Sequence, residues 1–230
     1  MSTLRSDRRE LFLMLCTGLF IMSLIISNIT STKLFDFFGT GFILDGGAVV
    51  FPIVYVIGDV ITEIFGFRTA RRAIYITFLM NALAFLFLWI VLILPPAANY
   101  EFQSSYEAVV GVTFRIIVGS LIAFVIGQVL NSYVFVRIKA KTGSKWLWVR
   151  ALGSSLVGDF VDTMIFITIA FVGTLPTADF IGLLSLAYVT KIVGQIILTP
   201  VTYLSVNLLR KQIGSAPTDE NIRLADVVKV

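Results

Sequence analysis

Two carboxylates three residues apart, Asp159 and Asp162, stand in the stretch LVGDFVDTMIF inside an otherwise apolar run. On a helix that spacing puts both on one face. A second pair, Asp59 and Glu63, stands four apart in IGDVITEIF, and Lys191 precedes Gln195 by one turn in KIVGQIILTP. Carboxylates accept hydrogen bonds and attract cations, whereas lysine is a donor and an amide is both. Such a set, sunk in oily surroundings, could bind a polar ligand, carry protons or hold water. An ionised carboxylate at the centre of a membrane helix costs about 2.5–3.5 kcal/mol on insertion scales, so intramembrane acids are rare and tend to be functional. The plain alternative is that Asp159 or Asp162 pairs with Lys191 to hold two helices together. Buried pairs stabilise weakly because desolvation offsets attraction, and four acids against one lysine leave an excess that pairing does not explain. Glu63, nearer the end of its run, is expected to reach Arg68, Arg71 or Arg72.

The elements that must position these groups are membrane helices. The 230 residues are 57% hydrophobic and 14% charged, against roughly 25% charged in an ordinary soluble domain. About 20 mostly apolar residues make one helical crossing, and the chain offers six such runs: Leu11 to Thr32, Ala48 to Phe67, Ala73 to Leu94, Thr113 to Val136, Ala151 to Gly173 and Ile181 to Leu209. The expected fold is therefore all-α, a polytopic membrane protein of six transmembrane helices. Residues 1–210 are expected to form one six-helix transmembrane domain and 211–230 a polar cytoplasmic tail. LDGG at Leu44, LPPAANY from Leu94 and AKTGSKW from Ala140 read as breaks, since proline and glycine punctuate helices.

Charge placement gives an orientation. If the helices alternate, every Lys and Arg except Lys33, Arg115 and Lys191 falls on one side, in the N-terminal segment, between spans two and three, between spans four and five, and after span six. The positive-inside rule makes that side cytoplasmic and puts both termini there. The basic balance thus reports topology, and a nucleic-acid partner is not expected. Histidine is absent, which rules out a His-dependent triad or an HExxH zinc site. No GxxxxGK[ST] loop is present, and Val56 and Leu156 stand where a GxGD aspartyl protease would carry its first glycine. The chain is not expected to be an enzyme, and no cofactor is implied.

Offset by 100 residues, IGDVITEIF from Ile57 lines up with VGDFVDTMI from Val157, and Asn28 falls near Asn131. Each half would hold three spans, an odd number, so the second half would enter the membrane inverted. Inverted repeats are a common transporter plan with a midplane site at the repeat interface; chance matching of apolar positions is the rival. Span four carries small residues at Gly119, Ala123 and Gly127, continued by Asn131, a spacing suited to close helix packing. Gln128 and Asn131 can instead offer amides to a cavity, as can Asn28 and Gln195. Pro52 and Pro200 can kink spans two and six and free backbone carbonyls.

The stretches FPIVYVIGDVITEIFG with the following ARR, GQVLNSYVF, LVGDFVDTMIFITIAF and the opening of KIVGQIILTP resemble the queuosine-precursor transporters, grouped with the vitamin uptake transporters. The resemblance runs from span one to the end of span six. It implies a six-span protein of the bacterial inner membrane importing 7-deazaguanine bases, with a small nucleobase and the bilayer as partners and a homodimer left open. On that reading Asp159, Asp162 or Asp59 would accept the N–H edge of the base. Lys191, Gln195, Gln128 or Asn131 would donate to its acceptor edge, and Asn28 and Glu63 complete the candidate set. The rival expectation is a substrate-binding membrane subunit of an energy-coupling vitamin importer, against which stands the bulky LFLMLCTGLFIM of span one.

Overall fold

A computed structural model describes residues 2–36, 43–110, 114–143, 146–173 and 177–214. Seven helices and one hairpin follow in the order α1 Ser2–Thr30, β1 Leu34–Asp36, β2 Ile43–Asp45, α2 Gly47–Phe65, α3 Phe67–Leu92, α4 Gln103–Val110, α5 Phe114–Thr142, α6 Leu147–Phe171 and α7 Thr177–Ile213. All but α4 are long and apolar enough to cross a membrane, six spans in all. The six expected spans are all present, with three differences in the connections.

The first difference is at the basic end of α2. Arg68, Arg71 and Arg72 are not in a loop; they occupy the first turns of α3, because the chain reverses at Gly66 alone. Gly66 has φ 88°, a backbone conformation that a side chain would disfavour. The second is the short antiparallel hairpin, in which Leu34, Phe35 and Asp36 pair with Asp45, Leu44 and Ile43. The third is α4, an exposed helical turn pair before α5. The long helices also outrun their apolar segments: α5 continues through Arg137, Lys139 and Lys141, and α7 through Arg210 and Lys211. At about 1.5 Å per residue α7 is roughly 55 Å long, more than a hydrocarbon core of about 30 Å. Residues 215–230, most of the expected tail, and Lys145 lie outside the described residues, as do the side chains of Arg5, Arg115 and Asp179.

Helix α2 is the centre of the bundle. From Val54 to Phe65 every residue except Ile57 is buried. Its core partners include Phe20 and Leu24 of α1 and Phe124 and Phe135 of α5, with the Phe20 and Phe124 rings edge to face at 5.5 Å. Helices α1, α3 and α7 turn large side chains such as Met14, Phe87 and Ile197 outward. In a membrane that surface is wetted by lipid and needs no protein cover.

The small-residue stripe does what its spacing suggests. Gly127 and Gly158 let α5 and α6 meet backbone to backbone: a Cβ at Gly158 would lie 2.7 Å from Asn131 Cβ and 3.0 Å from Gly127 O. Neither neighbour is the flexible end of a side chain, so the helices themselves would have to part. Gly158→Ala should therefore lower stability by about 1–3 kcal/mol, the usual range for overpacking. Thermal unfolding in detergent checks this against Gly18→Ala, where a methyl meets nothing within 4 Å. Equal melting of the two variants would show that the α5–α6 crossing yields freely.

Candidate functional site

The acids of α2 and α6 come to matching places in their helices. Asp59 lies twelve residues after Gly47, and Asp159 twelve after Leu147. The two helices run in opposite directions, since Glu63 near the end of α2 meets Arg150 near the start of α6. Asp59 is fully buried and accepts hydrogen bonds on both oxygens, from Asn131 Nδ2 at 2.9 Å and from Gln195 Nε2 at 3.1 Å. It thereby ties α2 to α5 and α7. Asp162, one turn beyond Asp159 on α6, accepts from Lys191 Nζ, and that ammonium stands 4.2 Å from the centre of the Phe51 ring. Carboxylate and ring face together hold the cation.

Asp159 sits between these pairs, within electrostatic reach of Asp59, Asp162 and Lys191. Lys191 thus acts on two of the three acids, Asp159 and Asp162, and the three carboxyl groups offer more acceptor oxygens than one ammonium can satisfy, which favours a ligand bringing donors. Several polar atoms here are buried with no protein hydrogen-bond partner: both amide atoms of Gln128, Asn131 Oδ1, Gln195 Oε1 and Thr163 Oγ1. An unmet buried group costs about 1–3 kcal/mol, so such a cluster marks a place where water or ligand supplies the missing bonds. The plain pairing of Asp162 with Lys191 is present, but it accounts for one acid of the three.

Between this layer and the hairpin lies a cavity of about 50 Å³ lined by Asp162, Lys191, Thr163, Phe51, Asn28 and Ser120, with Leu44 and Asp45 at its hairpin end. At about 10–15 Å³ per water that is room for about three to five waters. A flat two-ring heterocycle is larger, so its entry requires Lys191 or the helices around it to move. Asn28 borders the cavity with its amide engaged, accepting from Ser120 Oγ at 2.6 Å and donating to Asn81 Oδ1 at 3.5 Å.

Of the residues expected from sequence, Asp59, Gln128, Asn131, Asp159, Asp162, Lys191 and Gln195 come together, and Asn28 lines the approach. Glu63 is apart. Its expected partners Arg68, Arg71 and Arg72 are carried off by α3, and it takes Lys139 at 3.2 Å, Arg150 at 2.9 Å and Arg210 at 2.5 Å. Tyr55 was not expected. It is buried on α2 with its hydroxyl facing Asp159 and Asp162; its place one turn before Asp59 is the signal that could have singled it out.

Residues 45–205 match the sequence profile of the family described as "Putative vitamin uptake transporter". The chain belongs to this family. Over 196 residues it is 29% identical to the "Probable queuosine precursor transporter" of Bacillus subtilis (strain 168), covering 84% of this chain and 85% of that protein. A protein of the same name from Haemophilus influenzae is 29% identical over 125 residues, 54% of this chain and 51% of its own length. The "Queuosine precursor transporter" of Escherichia coli (strain K12) is 28% identical over 139 residues, 57% of each chain. No solved structure matches the chain. This member of the family is a multi-pass protein of the bacterial inner membrane, where spans are helical; outer-membrane spans form barrels.

Proposed function

We propose that the chain is a secondary-type transporter that imports queuosine precursors, 7-deazaguanine bases, by alternating access around a midplane site built from Asp59, Asp159, Asp162, Lys191, Gln195, Gln128 and Asn131. The observation that carries this reading is the convergence of three carboxylates and several unsatisfied amide atoms on one buried layer next to a cavity. A deazaguanine presents adjacent N–H donors along its guanine edge, which a carboxylate can accept in pairs. Its O6 accepts from an amide or an ammonium. Tyr55 and Phe51 supply ring surface beside the acids, and aromatic faces favour a flat ring. The names of the relatives point to the same cargo. The distribution of Lys and Arg supports cytoplasmic termini, so the hairpin and cavity face outward.

Uptake tests the reading. In cells lacking their own importer, the chain should drive accumulation of a labelled 7-deazaguanine base that excess deazaguanine competes away and vitamins do not. Purified protein alone in liposomes should carry the same base across. Transport that appears only when partner ATPases are added would instead make the chain the binding subunit of an energy-coupling importer.

A further inference from the structure

We infer that Glu63, Lys139, Arg150 and Arg210 form the closure of the bundle on its basic side, a latch that must open for a ligand at the midplane layer to leave toward that side. One carboxylate gathers a cation from each of three other helices. Arg150 donates from Nε at 3.1 Å and Nη2 at 2.9 Å, Arg210 donates from Nη2 at 2.5 Å, and Lys139 also reaches the Glu63 carbonyl at 3.0 Å. Helices α2, α5, α6 and α7 are therefore held at one point.

Three features make this a latch and not a simple brace. The cavity lies on the hairpin side of the acid layer, whereas on the basic side of that layer Thr62 Oγ1 donates to Ser132 Oγ at 3.1 Å, tying α2 to α5, and Ile61, Ile64 and Val136 are buried. Helices α5 and α6 are already locked by Gly127 and Gly158, so on the basic side it is α2 and α7 that Glu63 attaches to this rigid pair. The cluster holds three cations against one carboxylate, with Arg150 wholly buried and the Arg210 side chain 35% exposed. Attraction and desolvation nearly cancel in buried ion pairs, and the surplus positive charge repels. Such a cluster can part toward water when a competing state is favoured.

The inference rests on the transport reading for its purpose, but its test needs no substrate. With Cys16 replaced by serine, single cysteines are placed by Ser132→Cys, between the acid layer and Glu63, and by Ala187→Cys, on the cavity wall. A membrane-impermeant thiol reagent is applied to each face in vesicles of both orientations. Glu63→Gln should speed labelling at position 132 from the basic side by about tenfold or more, and Arg210→Gln by about threefold, as closed states lose population. Position 187 should label no faster than in the parent. If Glu63→Gln fails to reach the membrane, Arg210→Gln decides alone. Unchanged protection at position 132 overturns the inference, and so does faster labelling at both positions together, which would mean general loosening.

Discussion

Replacing Asp162 or Asp159 by asparagine should abolish uptake of the base while leaving the amount of protein in the membrane unchanged. Asparagine keeps the shape of the side chain and exchanges one acceptor oxygen for a donor amide. At Asp162 the amide can still turn its one carbonyl oxygen to the Lys191 ammonium, but the second acceptor and the carboxylate's charge are gone. At Asp159 it faces the site where the N–H edge of a base would lie. A hydrogen bond to a charged group is worth about 1.5–3 kcal/mol, roughly tenfold to more than a hundredfold in affinity. A loss at the upper end of that range takes uptake below detection at micromolar substrate. Initial uptake rates, normalised to immunoblotted membrane protein, provide the measurement; undiminished rates in both variants would remove these acids from the site.

Around Glu63 the expected losses are of stability, and they are unequal. Removing the carboxylate strands three cations, among them the fully buried Arg150. Leaving a buried charge unpaired costs about 3–5 kcal/mol. Removing Arg150 by Arg150→Met still leaves Glu63 with Lys139 and Arg210, and a long apolar side chain fills part of the space over Phe135. About 1–2 kcal/mol is expected there, in the range of an ordinary destabilising substitution. The double variant should be more stable than the sum of the two losses predicts, since Arg150 is no longer present to be stranded. Thermal unfolding in detergent separates these cases, and a loss for Arg150→Met equal to that for Glu63→Gln would mean that the carboxylate is not the organiser.

The six spans were legible because lipid demands long apolar runs, and the acids stood out against them for the same reason. The ends of the helices were not: nothing forces a helix to stop where its apolar run stops, and α5 and α7 carry on through Lys139 and Arg210 into polar surroundings. The hairpin escaped notice because strands of three residues are too short to show alternation. Partners were harder still. Glu63 has Arg68, Arg71 and Arg72 close in sequence, yet the turn at Gly66 sends them elsewhere. Lys139 and Arg150, which the sequence places among the cations between spans four and five, are buried beside Glu63. A cation near a helix end reads alike whether it faces headgroups or an interior acid. Tyr55 likewise resembles any core aromatic until Asp159 and Asp162 are seen beside its hydroxyl.

The claim on which the functional reading depends is that the acid layer receives a flat, donor-bearing heterocycle. Equilibrium binding of a radiolabelled 7-deazaguanine base to the purified protein in detergent tests it most directly, with Asp159→Asn and Asp162→Asn measured beside the parent. The parent should bind one base per chain, displaced by unlabelled deazaguanine, and each variant should bind at least about tenfold more weakly, as the loss of one charge-assisted hydrogen bond requires. Full-strength binding by both folded variants, or no binding by the folded parent, would contradict it.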